Sequence, residues 1–120
     1  MILNLRSLRD KNVLIVEDEY LIAMDLENTL REQGAHVVGP AASVDEALEL
    51  LAHAHVDCAV LDVNLQGERI YAVADSLRVA GIPYVFATGY APSTIAPGYE
   101  DVPCLTKPFD PEVVTSMLRG

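Results

Sequence analysis

The chain has 120 residues, 51% of them apolar, with 18 acidic against 8 basic side chains and a formal net charge of −10. That length fits one domain and supports a core without disulfides or a structural metal. The acidic balance argues against direct contact with nucleic acid, which needs clustered Lys and Arg, and no apolar run approaches the ~20 residues of a membrane span.

The N-terminal stretch MILNLRSLRDKN lacks the apolar core and small-residue cleavage site of a secretory signal. Cys58 and Cys104 lie in apolar segments without CxxC spacing. Both features suit a cytoplasmic chain with free thiols.

Val13–Val16 reads as a solidly apolar first strand. Tyr20–Gln33 follows as a helix, with Ile22, Leu26 and Leu30 at spacing four and Gly34 as a left-handed C-terminal cap. His36–Val38 is a shorter strand suited to a sheet edge. Ser43 and Glu46 form a capping box ahead of Ala47, Leu48 and Leu51. Cys58–Leu61 is the third strand. Glu68–Ala80 is the next helix, carrying Ile70, Val73 and Leu77 and closed by Gly81. Tyr84–Ala87 is the fourth strand.

The interval Tyr90–Asp101 breaks the rhythm. It holds Pro92, Pro97 and Gly98, with Ile95 as its one strong aliphatic anchor. A short or irregular fourth helix of low local stability is expected there, able to be reordered by a signal. Val102–Leu105 is the fifth strand. Asp110 and Pro111 then open a last helix through Val113, Val114, Met117 and Leu118. Alternating strands and helices imply parallel pairing with right-handed crossovers, hence a doubly wound five-stranded α/β sheet. One domain over residues 1–120 is expected, with strand order 2-1-3-4-5.

Sheets of this kind place their sites beyond the carboxyl ends of the strands. Those ends carry Glu17 and Asp18, then Asp62, then Thr88, then Thr106-Lys107-Pro108. Three carboxylates at close range repel by roughly 1–4 kcal/mol per pair at about 4 Å. A divalent cation relieves that conflict, and hard oxygen donors suit Mg²⁺ or Mn²⁺. With the Lys107 ammonium and the Thr88 hydroxyl, the set describes a carboxylate attacking phosphorus while nearby cations neutralise developing charge. Each piece has a plainer reading alone: loop charge for Glu17-Asp18, a helix cap for Asp62, a strand-ending hydroxyl for Thr88, a turn for Lys107-Pro108. Their joint order along the strand ends carries the signal.

The strings VLIVEDE, VLDVNL, FATGY and LTKPF resemble the receiver domain of two-component response regulators over essentially the whole chain. The resemblance implies a flavodoxin-like fold and a signalling phosphoacceptor that catalyses its own phosphorylation and dephosphorylation. Asp62 would accept the phosphoryl group from a histidine kinase. Asp18 would hold Mg²⁺ directly, with Glu17, Asp62 and the backbone carbonyl of Asn64 completing the protein ligands. Thr88 would follow the phosphoryl group and Lys107 would bridge to it, with a cis Lys107-Pro108 bond aiming the lysine inward.

FATGY and VNLQGE are similar to the FAT GUY receivers, often stand-alone domains served by kinases of the HWE type or related ones. The downstream protein is not identified by the sequence. An aspartyl phosphatase or phosphotransferase is a rival reading, weakened because Asn64 stands where that class places an acid. An unphosphorylated receiver-like binding domain is another, weakened by the complete set of acids and lysine.

Two positions depart from the family pattern: Cys104 replaces the usual aromatic switch, and Gln66 replaces the usual proline. Gln66 is either a water-orienting side chain or a plain surface amide. His53 and His55, at spacing two, do not converge on a helix and read as surface residues. His36 reads as structural. Tyr84, Tyr90 and Tyr99 read as packing residues, with Tyr90 near the phosphorylation pocket.

Overall fold

The computed structural model describes residues 7–65, 68–89 and 95–119. Its elements are β1 (Asn12–Val16), α1 (Tyr20–Glu32), β2 (His36–Ala41), α2 (Val44–His53), β3 (Cys58–Asp62), β4 (Asn64–Leu65), β5 (Glu68–Arg69), α3 (Tyr71–Ala80), β6 (Tyr84–Thr88), β7 (Cys104–Thr106) and α4 (Pro111–Arg119). Five strands form one sheet in the order β2-β1-β3-β6-β7, all paired in parallel. This is the expected 2-1-3-4-5 order, counting the strands of that sheet alone.

Period-two alternation divides the strands between two cores. Leu14, Val16, Ala59, Leu61, Tyr84 and Phe86 face α2 and α3, burying Ala47, Val73, Ala74 and Leu77 with them. Val13, Ile15, Cys58, Val60 and Val85 face the other way, onto Leu26 and Leu30 of α1 and Val114 and Leu118 of α4. Every residue of β3 and β6 is buried, which accounts for their unbroken apolar runs.

The caps follow the sequence closely. Ser43 Oγ accepts from the Glu46 N–H at 3.1 Å, while Glu46 reaches back to the Ala42 N–H at 3.5 Å, one residue ahead of the cap. Asp110 Oδ1 accepts from the Glu112 N–H at 3.0 Å. Gly34 and Gly81 take φ of 85° and 73° just past their helices.

Three expected boundaries are corrected. The third helix starts at Tyr71 rather than Glu68, because Glu68–Arg69 pairs antiparallel with Asn64–Leu65 in a separate two-stranded ribbon. The edge strand β2 runs on to Ala41 through Gly39-Pro40, a cis bond on an edge where a missing N–H is tolerated. The last strand is shifted to Cys104–Thr106.

Between β6 and β7, the described residues 95–103 contain turns and no helix, while 90–94 lie outside the described residues. Ile95 packs against the core on the α2 and α3 side, as does Tyr99. The Tyr99 ring stacks on Tyr71 at 4.7 Å between centroids, lies under the Arg78 guanidinium at 4.7 Å, and its hydroxyl donates to Asp75.

Candidate functional site

β3 ends the central strand at Asp62, in register with Ala87 of β6, and Thr88 one residue on pairs with Thr106 of β7. The Lys107 N–H donates to the Thr88 carbonyl at 2.7 Å, so the ladder itself delivers Lys107 beside β6. On the other flank the Glu17 N–H donates to the Ala41 carbonyl at 2.9 Å, fixing the turn out of β1. Glu17, Asp62 and Thr88 are all buried and Asp18 is half-buried.

Carboxylate oxygens of Glu17, Asp18 and Asp62 lie within 4.8 Å of one another. Lys107 Nζ meets Glu17 Oε1 at 2.7 Å, Asp62 Oδ2 at 3.2 Å and Glu19 Oε1 at 3.3 Å. The other Asp62 oxygen accepts from the Asn64 N–H at 3.2 Å. Burial, reinforced by contact with the Asp62 carboxylate, pushes Glu17 up to about 7 against the opposing pull of Lys107. Burial pulls the Lys107 ammonium down, but its hydrogen bond to Glu17 and the charges of Asp62 and Glu17 prevail, and its affinity for the proton rises.

This donor set fits a divalent cation. It is made of three carboxylates whose hard oxygens lie within 4.8 Å of one another, and a dication would compensate the charge that burial and the neighbouring Asp62 disfavour on Glu17. Among the described residues this is the one group of three or more acids, histidines or cysteines close enough to share an ion. An open groove of about 530 Å³ adjoins Glu17 and Asp18, lined also by Tyr20, Met24, Pro40 and Ala42.

The structure therefore brings together Glu17, Asp18, Asp62, Thr88 and Lys107 as the strand ends suggested, with Asn64 held against Asp62 by its N–H. The Lys107-Pro108 bond is cis. Gln66 and Tyr90 lie outside the described residues. His36, His53 and His55 are exposed and take no part: His53 contacts the Glu49 carbonyl at 3.0 Å and His55 contacts Asp57 at 2.9 Å. Sequence reading missed Glu19. The signal was present as the third acid of Glu17-Asp18-Glu19, but only the fold reveals that this side chain turns toward Lys107.

The response regulator receiver domain family matches residues 13–119. The phyllosphere-induced regulator PhyR of Methylorubrum extorquens is 33% identical over 111 residues, covering 88% of this chain and 41% of PhyR. SdrG of Sphingomonas melonis Fr1 superposes with a TM-score of 0.80 at 40% identity, covering 93% of this chain and 95% of SdrG. Its BeF3-activated conformation superposes at 0.76 with 38% identity, covering 91% and 96%. PhyR of Bartonella quintana, described as an anti-anti-sigma factor, superposes at 0.76 with 33% identity, covering 92% of this chain and 46% of that one. The chain thus spans about half the length of the curated relatives it matches, 41% of PhyR and 50% of the regulator PdtaR of Mycobacterium tuberculosis. The chain belongs to the response regulator receiver domain family and is a phosphoacceptor module of two-component signalling rather than a conventional enzyme.

Proposed function

We propose that Asp62 is the residue that takes the phosphoryl group, within a single receiver unit spanning residues 1–120. The observation that carries this is the buried Asp62 carboxylate, which faces Lys107 at 3.2 Å and lies within 4.8 Å of the Glu17 and Asp18 oxygens. Asp62 supplies the attacking oxygen, and its Asn64 N–H contact fixes the carboxylate plane. Lys107 offsets negative charge that builds on the phosphoryl oxygens, and the Thr88 hydroxyl, at the end of β6, donates to them. Asp18, Asp62 and, from the family resemblance, the Asn64 carbonyl would hold Mg²⁺ or Mn²⁺, with Glu17 alongside, and the cation would supply positive charge to the phosphoryl oxygens.

The phosphodonor is a histidine kinase. The FATGY and VNLQGE strings favour the FAT GUY subgroup and a kinase of the HWE type, acting in the cytoplasm. Output passes through a conformational change to a partner protein, with the β6–β7 interval as the surface that changes. Acetyl phosphate with Mg²⁺ should add one hydroxylamine-labile phosphoryl group, read by intact-mass spectrometry. Labelling of Asp62→Asn as efficient as that of the parent chain would refute the assignment.

A further inference from the structure

A lysine ammonium has three N–H donors, and in this fold all three face carboxylates: Glu17, Asp62 and Glu19. The first two belong to the acid cluster. Glu19 does not, and its side chain is 59% exposed where that of Lys107 is 10% exposed. Glu19 occupies the N-cap position of α1 and its carbonyl accepts from the Ala23 N–H at 3.0 Å, yet its side chain makes no capping bond. Helices are capped by the short side chains of Ser, Thr, Asp and Asn. The longer Glu19 arm instead crosses to the exit of β7, tying together the two loops that flank Asp62.

We propose that Glu19 is a positioning residue for phosphoryl transfer, sharing the Lys107 ammonium with Glu17 and Asp62 until a phosphoryl group on Asp62 draws it away from Glu19. The inference rests on Asp62 being the acceptor. In the transfer, an Asp62 carboxylate oxygen bonds to phosphorus while the bond from phosphorus to the donor's oxygen or nitrogen breaks. The leaving group departs with the electron pair: a carboxylate such as acetate leaves as the anion, and an imidazole nitrogen leaves carrying a proton. The resulting acyl phosphate carries more negative charge than the carboxylate it replaces, so it competes with Glu19 for Lys107. With Asp62 engaged by a cation, Lys107 would remain shared between Glu17 at 2.7 Å and Glu19 at 3.3 Å. Glu19 thus sets how readily Lys107 is released to the phosphoryl group.

The test uses the full chain with Glu19→Gln, which keeps the reach but loses the charge, and Glu19→Asp, which keeps the charge but is one methylene shorter. Phosphorylation by acetyl phosphate with Mg²⁺ is followed by mass spectrometry, and the Lys107 Cε resonance by NMR with and without beryllofluoride. Both variants should be phosphorylated roughly two- to fivefold faster, the range expected for releasing a partly exposed ion pair. In both, the Lys107 resonance of the unphosphorylated protein should move toward the position that the parent reaches only with beryllofluoride. Acceleration in Glu19→Gln alone, with an unmoved Lys107 resonance, would reduce Glu19 to a repulsive surface charge and overturn the proposal. Unchanged or slower rates in both variants overturn it as well. A parent chain that takes up no phosphoryl group overturns the Asp62 assignment itself, and the Glu19 role with it.

Discussion

Replacing Lys107 with Met keeps most of the aliphatic stem and removes the ammonium. In the parent that charge lies 2.7 Å from Glu17 and 3.2 Å from Asp62, whose side chains are 2% and 5% exposed. At an effective dielectric of about 20, contacts of this length correspond to a gross attraction of roughly 5–6 kcal/mol each, most of it offset by the desolvation of the partners. Removing one partner of a buried pair costs about 3–5 kcal/mol where the remaining charges stay ionised, and protonation of Glu17, already pushed up to about 7, brings the loss to the lower end. Lys107→Met should therefore unfold about 3 kcal/mol more easily than the parent in urea with the divalent cations chelated. Millimolar MgCl₂ should recover more of that loss in the variant than it adds to the parent, because the dication replaces a missing charge and meets no competing ammonium. A variant within about 1 kcal/mol of the parent without Mg²⁺, or an equal Mg²⁺ effect in both, would show that Lys107 is not the counter-charge of this cluster.

Mg²⁺ affinity should fall strongly in Asp18→Ala and Asp62→Ala and less in Glu17→Ala, measured by calorimetry; equal affinity in all three would misplace the ion. Burial pushes the Cys58 thiol up to about 12 from 9.0, so the folded state keeps it protonated where the unfolded chain ionises. Stability from this residue is full below pH about 9 and is lost as pH rises toward 12, by at most about 4 kcal/mol; Cys58→Ala should flatten that alkaline slope in urea titrations. At Gly39, with φ of 96°, an added Cβ would lie 2.7 Å from the Ala41 nitrogen and 2.9 Å from the Ile15 carbonyl oxygen. Gly39→Ala should cost roughly 2–4 kcal/mol, since both obstacles are backbone; a loss under about 1 kcal/mol in chemical denaturation would show that the β1–β2 edge yields easily.

The sheet was legible because β1, β3 and β6 are covered on both faces, and this requires unbroken apolar runs bounded by caps and glycines. The site was legible for a related reason. A parallel sheet brings successive strand ends to one edge, so residues distant in sequence could be placed together from strand order alone. What escaped notice was what depends on side-chain reach or on very short pairing. Asn64–Leu65 and Glu68–Arg69 pair through only two residues each, too few for a periodicity to register, so the apolar pattern alone extends the following helix back to Glu68. Gly39-Pro40 punctuates β2 like a turn, but on an edge strand its lost N–H faces no partner and pairing resumes at Ala41.

Cys104 gives up the ring that receivers usually carry on the last strand, and the surrounding packing explains how the fold accommodates the loss. Cys104 pairs in register with Phe86 and packs at the margin of the same core as Tyr99. Phe86 lies 6.1 Å from Tyr71, 5.6 Å from Tyr84 and 6.2 Å from Tyr99 between ring centroids. The aromatic bulk thus sits on β6, on α3 and in the segment entering β7. Phe86 is two residues before Thr88 on the same strand, so both side chains share a face of the sheet. A displacement of Thr88 toward a phosphoryl group would be felt by Phe86, then by Tyr99, whose hydroxyl is held by Asp75 and whose ring lies beneath Arg78. Arg78 also binds the Tyr84 hydroxyl at 2.7 Å and Asp101 at 3.0 Å. Through Tyr71, Phe86, Arg78 and Asp75 the Tyr99 ring ties the segment entering β7 to both β6 and α3, so a shift at the end of β6 has a packed route to this surface.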